Sequence, residues 1–147
     1  MKILGIIGGM SPESTATYYT EINRLVNQKK GGNISAPIVM VSVEFEEIVQ
    51  CQKQSEWQRA GEILAEAGKK LEMIGAEGIV LATNTMHKVA PQIERVLSIP
   101  FLHILDATAD AIKSRGLNKV ALLGTKFTMS DNFYRDGLIV RGITPIV

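Results

Sequence analysis

Cysteine is nearly absent from this chain, and its scarcity excludes several kinds of site. Among 147 residues there is one cysteine, Cys51, so neither an intramolecular disulfide nor a cysteine cluster for zinc or iron–sulfur is available. Histidine is also scarce, and His87 and His103 have no matching carboxylate pattern that would make a metal-site signature. The composition therefore predicts no metal centre and is typical of a cytoplasmic protein.

An excess of charge of one sign is lacking as well. The 16 basic and 15 acidic residues are scattered along the chain and give a formal net charge of +1. Without a basic stripe or tail, nucleic acids and anionic membranes are unfavourable partners. The longest apolar runs are a few residues, well below the roughly 20 that cross a bilayer. What remains is a globular protein, 46% hydrophobic and long enough to bury a core.

Short apolar runs alternate with amphipathic stretches, a pattern typical of βαβ units. The predicted fold class is therefore α/β, with a parallel sheet flanked by helices. Strands are predicted at 3–7, 38–43, 78–82, 101–105, 120–123 and 143–147, and helices at 12–30, 55–74, 88–96, 106–115 and 131–140. Residues 1–105 are expected to form a first lobe and residues 106–147 to begin a second, incomplete one. The reason is that a final strand without a covering helix would leave parallel-sheet surface exposed.

Three polar loops follow predicted strands, and they are the candidate binding elements. They span residues 8–15, 82–87 and 124–128. Ligands of open parallel sheets bind beyond the carboxyl ends of the strands. Glycine N–H groups, hydroxyls and an amide are all neutral donors, and at helix N-termini they suit a small anion such as a carboxylate. The second loop is the most informative, because Thr83, Asn84 and Thr85 supply more hydrogen-bonding groups than one helix cap requires.

Structural interpretations of the same residues stay open. Ser11 and Thr125 also fit ordinary helix caps, and Gly8–Gly9 does not match the dinucleotide fingerprint, so no nucleotide is predicted. His87 lies near the second loop, where a structural role is favoured over acid–base catalysis. His103 is expected in the core of a strand. Cys51 is expected to be structural, whereas the neighbouring Gln52 has an amide that could reach a ligand.

The sequence also resembles a known family at several motifs in the same order along the chain. They are GGMSPEST at 8–15, TNTMH at 83–87, LLGT at 122–125 with Phe127 and Thr128, and FYR at 133–135. Together they resemble the aspartate/glutamate racemases, and residues 47–57 are most similar to the branch that acts on both amino acids. The resemblance implies two α/β lobes with the active site between them, catalysis without pyridoxal phosphate or another cofactor, and a homodimer. It implies a small dicarboxylic amino acid as the substrate. The residues expected to bind it are Met10, Ser11, Gln52, Thr83, Asn84, Thr85, Thr125 and Thr128.

The chain departs from this family at the residues that transfer protons. The resemblance implies one cysteine immediately before the TNT motif and a second in a later GCTE-like motif, on opposite faces of the substrate Cα. Here Ala82 occupies the first position, the 147 residues end before the second, and Cys51 matches neither. We therefore expect an amino-acid site that is catalytically impaired but still able to bind, because a methyl group is smaller than a thiol. Two alternatives remain: a non-catalytic binder or sensor of dicarboxylic amino acids, and a structural fragment without a ligand.

Overall fold

The computed structural model describes all residues, Met1–Val147, and divides them into two compact units. Unit 1 is Met1–Leu102 and unit 2 is His103–Val147. The sequence places the corresponding boundary after residue 105, because residues 101–105 are expected to form one strand. This prediction is wrong after Leu102: the strand covers only Phe101–Leu102, and a helix begins at Ile104.

Unit 1 is built on a four-stranded parallel sheet, as predicted. Its strands are β1 (Leu4–Gly8), β2 (Ile38–Ser42), β3 (Gly78–Leu81) and β4 (Phe101–Leu102). The spatial order is β2-β1-β3-β4, and Ile7 of β1 pairs with Val41 on one side and Leu81 on the other. Strand β1 is apolar on both faces because a central parallel strand is covered on both sides. The sheet order sets the carboxyl ends of β1 and β3 next to each other.

The helices of unit 1 connect these strands. They are α1 (Pro12–Lys30), α2 (Phe45–Lys53), α3 (Trp57–Met73), a 3-10 helix (Thr85–Val89) and α4 (Ala90–Glu94). Helix α1 begins as predicted: the Ser14 N–H donates to Ser11 Oγ at 3.3 Å, and Pro12 occupies the first turn, where its missing N–H costs nothing. It ends at Gly31, which has a positive φ of 77°.

The observed helices of unit 1 differ from the prediction at two places. Helix α2 is not predicted, yet the Glu44 carboxylate accepts the N–H groups of Glu46 and Glu47 at 3.0 and 2.7 Å and starts it. Ser55, with a φ of 58°, separates α2 from α3. The helix predicted at 88–96 begins earlier, as the 3-10 helix, and continues into α4. The 3-10 helix therefore starts inside the second polar loop, at Thr85.

Helix α3 packs its apolar face into the core of unit 1. Its buried face comprises Ala60, Gly61, Leu64, Ala65, Ala67, Gly68 and Leu71. A Cβ placed on Gly68 would lie 3.3 Å from the Leu97 side chain, closer than an ordinary contact, and 3.7 Å from Ile7 of β1, so the glycine leaves room for Leu97. Helix α1 differs, because Leu25 on its apolar face is 45% exposed and only Thr15 is buried.

Unit 2 contains a parallel strand pair and three helices. They are β5 (Lys119–Ala121), β6 (Thr144–Ile146), α5 (Ile104–Ser114), α6 (Lys126–Ser130) and α7 (Asn132–Val140). Its core consists of Leu105, Ala109, Leu138 and Ile143. Helix α7 begins as predicted after Asp131, whereas α6 was expected to be loop. No helix of the chain combines the length and the apolarity that a bilayer span requires.

His103 and Asp106 have roles that differ from those expected. His103 is the N-cap of α5 and not a core strand residue, and its Nδ1 accepts the Leu105 N–H at 3.1 Å. The helix predicted at 106–115 begins two residues earlier, so Asp106 lies in its first turn, where it pairs with Arg141 at 2.6 Å. The prediction failed because histidine is an uncommon cap, whereas aspartate is a preferred one.

Candidate active site

Ala82 lies directly beyond β3, at a sharp turn of the backbone. Its N–H donates to Ile7 O at 2.9 Å, which extends the sheet ladder by one residue. The Thr83 N–H donates to Leu81 O, also at 2.9 Å, and this bond from residue i+2 to residue i is that of a γ-turn centred on Ala82. The Ala82 side chain is fully buried, with 0% exposure. The position expected to carry a catalytic thiol is thus held on a rigid element and shielded from bulk water.

The second polar loop is supported by His87. The Nδ1 atom of this buried histidine lies 2.7 Å from Thr83 O and 3.3 Å from Asn84 O. Carbonyl oxygens only accept hydrogen bonds, so Nδ1 must carry a proton in this arrangement. The His87 ring also lies 5.8 Å from the Phe101 ring. These contacts support the structural role of His87 and give no geometry for acid–base catalysis.

Hydroxyl groups organise the first polar loop. Gly9, with a φ of 96°, donates its N–H to Thr15 Oγ1 at 2.8 Å, and that hydroxyl donates to Ser11 O at 3.0 Å. Ser14 Oγ donates to Ala82 O at 2.7 Å and so joins the first loop directly to the second. The structure therefore brings these two loops together at one edge of the sheet, as the predicted parallel topology requires.

The remaining predicted site residues of unit 1 differ in their exposure to solvent. Met10 is buried in the hydrophobic core, whereas Ser11, Thr83 and Thr85 are half-buried and Asn84 is exposed. Gln52, on α2, is half-buried, and its Nε2 donates to the Met86 sulfur at 3.1 Å. Cys51 is part of the core, as the structural interpretation expects. The predicted polar side chains of unit 1 that are half-buried or exposed are therefore those of Ser11, Gln52, Thr83, Asn84 and Thr85.

The third loop belongs to unit 2. Thr125 caps α6 by accepting the Thr128 N–H at 3.3 Å, and the two hydroxyls lie 3.2 Å apart. Thr125 thus has the capping role that the sequence left open as an alternative, and the Thr128 N–H is the group that it caps.

Glu13 is the one carboxylate within the two joined loops. The pKa of Glu13 is lowered by the backbone N–H groups at the start of α1 and by the Ser11 hydroxyl. The other loop side chains include no carboxylate, lysine or arginine, and across residues 1–147 no group of three or more His, Cys, Asp or Glu could hold a metal ion. This arrangement can offer hydroxyl, amide and backbone N–H groups to an anion but no positioned acid or base at Ala82.

Sequence reasoning missed two residues of this network, Ser14 and Thr15. Both appear in the sequence only as part of the GGMSPEST motif. Two adjacent hydroxyl residues in the first turn of a helix after a glycine-rich loop were the available signal. The partners of Thr15 lie in the same loop, whereas the contact of Ser14 with Ala82 depends on the sheet order.

Comparison with known proteins agrees with the motifs. The sequence profile of the Asp/Glu/Hydantoin racemase family matches residues 7–147. A curated relative, the broad specificity amino-acid racemase RacX of Bacillus subtilis (strain 168), is 26% identical over 135 residues, which are 90% of this chain and 59% of that protein.

Two solved structures are similar over nearly the whole chain. A Yersinia pestis protein named as a candidate Asp/Glu racemase has a TM-score of 0.96 and 52% identity, covering 99% of this chain and 64% of that one. An aspartate racemase homologue from Pyrococcus horikoshii OT3 has a TM-score of 0.88 and 38% identity, covering 100% and 64%. The chain thus spans about three-fifths of the length of these relatives. With the profile match from the end of β1 to the last residue, the chain belongs to the Asp/Glu/Hydantoin racemase family.

Proposed function

We propose that the joined loops of unit 1 are half of an active site for racemisation of aspartate, glutamate or both, in which Ala82 replaces the first proton-transfer group. The observation that carries this proposal is the position of Ala82. It is buried at the end of β3, bonded through its carbonyl to Ser14, and followed directly by Thr83 and Asn84. Neutral donors therefore surround a position that has no titratable group.

Racemisation at Cα explains why the neutral donors and the missing titratable group at residue 82 both matter. Removal of the Cα proton leaves a planar carbanion whose charge spreads into the adjacent carboxylate. Hydroxyl and amide donors from Ser11, Thr83, Asn84 and Thr85 would stabilise that charge and hold the carboxylates. The proton must leave from one face and return on the other, which requires an acid–base group on each side. One such positioned group typically contributes about 100- to 10,000-fold, so a methyl group at residue 82 should reduce the rate severely.

The relatives support the choice of reaction. RacX is named a broad specificity amino-acid racemase, and the P. horikoshii protein is an aspartate racemase homologue. By extension we propose an amino-acid substrate, catalysis without a cofactor, a homodimeric assembly and a cytoplasmic location.

Ligand-dependent stability tests the binding half of the proposal. L-aspartate, D-aspartate, L-glutamate and D-glutamate are each added to the chain, with the amide L-asparagine as the matched ligand lacking the second carboxylate. A dicarboxylic ligand at about 100 times its Kd should add about 2.7 kcal/mol to the free energy of unfolding, and L-asparagine should add less. Thermal unfolding measures both. Equal midpoints with and without every ligand would contradict the proposal.

A second candidate function is a binder or sensor of dicarboxylic amino acids, favoured by the alanine at residue 82. It predicts the same stabilisation by ligand. It differs in that Ala82→Cys should then produce no exchange of the substrate Cα proton.

A further inference from the structure

A side chain of α1 reaches the backbone of the residue on which the proposed reaction depends. Ser14 Oγ donates to Ala82 O at 2.7 Å, across 68 positions of sequence. This distance is the usual one for a hydroxyl–carbonyl hydrogen bond. The same hydroxyl lies 3.3 Å from Ser11 O, a longer contact, so Ala82 O is its principal acceptor.

The peptide groups on both sides of this contact are also engaged. The Ala82 N–H donates to Ile7 O, the Thr83 N–H donates to Leu81 O, and His87 Nδ1 donates to Thr83 O. The Cα–Cβ bond of residue 82 takes its direction from these peptide planes. Ser14 supplies the one anchor among them that comes from the first polar loop.

Ser14 is itself held in place. It lies in the first turn of α1, its N–H donates to Ser11 Oγ at 3.3 Å, and its side chain is half-buried. The next residue, Thr15, ties the same turn to Gly9. A hydroxyl on a braced helix end can therefore fix the position of the carbonyl that it contacts.

We propose that Ser14 is a positioning residue that sets the direction in which the side chain of residue 82 points. The inference rests on the proposed function in that residue 82 is taken as the acid–base position. Ser14 does not touch the substrate in this account. It acts through the Ala82 carbonyl and couples the first loop to the second.

A thiol introduced by Ala82→Cys reports on this positioning. Its alkylation by iodoacetamide is followed across pH in the 147-residue chain, and the parent chain supplies the background from buried Cys51. Adding Ser14→Ala removes the hydroxyl and should release the turn. Because one net hydrogen bond is lost, we expect alkylation of the introduced thiol to become about three- to tenfold faster. Ser14→Thr, which keeps the hydroxyl, should restore a rate within about twofold of that with Ser14.

Thr17→Ala is the matched control. Thr17 Oγ1 also donates to a carbonyl, Glu13 O at 3.1 Å, but this exposed hydrogen bond stays within α1. It should leave the alkylation rate and its pH profile unchanged. Urea unfolding of every variant separates a change in global stability from a change at residue 82.

Several results would overturn the inference. They are an unchanged alkylation rate in Ser14→Ala, an equal change in Thr17→Ala, or failure of Ser14→Thr to restore the rate. Global unfolding by Ser14→Ala, with Ser14→Thr folded, would also overturn it, because Ser14 would then be a residue of general stability.

Ligand stabilisation of the parent chain keeps the two proposals distinguishable. Altered thiol reactivity without any stabilisation by aspartate or glutamate would leave Ser14 as a positioning residue and contradict the proposed function. Stabilisation by aspartate or glutamate with unaltered thiol reactivity would support the proposed function and contradict the positioning role of Ser14.

Discussion

At the scale of single residues, Ala82 and Gly9 occupy positions where backbone geometry dictates what a side chain can do. Ala82 is buried at the centre of a γ-turn, so any group placed there is held in one direction. Gly9 has a φ of 96°, and its N–H donates to Thr15 Oγ1. Both residues shape the first two polar loops without offering a functional group of their own.

Gly9→Ala tests the first loop. A Cβ at this residue would clash with Val43 O and would lie 2.8 Å from Ser42 Oγ, in addition to the cost of a positive φ. We expect a loss of more than about 1 kcal/mol in the free energy of unfolding, measured by urea denaturation. Gly31→Ala is the matched control, because Gly31 also has a positive φ, 77°, but faces open space. An equal loss in both variants would contradict the packing argument.

At the scale of elements, the sequence predicted those helices and strands whose signals are local. Apolar runs identified the strands of both units, and Ser11 with Pro12 identified the start of α1. Helix α2 was missed because its cap is the glutamate Glu44, and α5 was misplaced because its cap is His103. Glu44 and His103 become caps because the preceding strands end just before them. The apolar pattern of the sequence does not define where those strands end.

The His103 cap predicts that stability depends on pH. Burial, and then the nearby charge of Arg141, lower the His103 pKa below 6.5, while Asp106 opposes them. Because the His103 pKa is lower in the folded chain than in the unfolded chain, the unfolded chain binds more protons at pH values between the two. The stabilisation is therefore complete above pH 6.5 and is lost as the pH falls through the folded pKa.

The urea midpoint, measured above pH 6.5 and below the folded pKa of His103, shows how much stability is lost when His103 is protonated. His103→Asn keeps a side-chain acceptor at the cap but cannot titrate, so its midpoint should change less on acidification. If the two proteins lose stability in parallel, the cap does not depend on the ionisation of His103.

At the scale of the whole molecule, the sheet order explains why part of the site escaped prediction. The sequence predicted polar loops after β1 and β3 but not that these strands are neighbours. Their adjacency brings Ser14 to Ala82, a contact between residues far apart in sequence. Thr125 and Thr128 are predicted to bind the same ligand, and within unit 2 Thr125 caps α6 by accepting the Thr128 N–H.

The family assignment rests on residues 7–147, whereas the proposed proton transfer depends on residue 82. We propose that residue 82 is the place of an acid–base group on one face of an amino acid. A single thiolate there would take the Cα proton, exchange it with solvent and return it to the same face. In deuterated water this replaces the proton by a deuteron in one enantiomer, without inversion.

Proton NMR of L- and D-aspartate and of L- and D-glutamate in deuterated water tests this claim most directly. With Ala82→Cys, we expect the Cα–H signal of one enantiomer to decay at least about 100-fold faster than with the parent chain, with its configuration retained. The parent chain should match a protein-free control. Exchange by the parent at the rate of the variant would contradict the account, as would a variant that is stabilised by these amino acids yet exchanges none of their Cα protons.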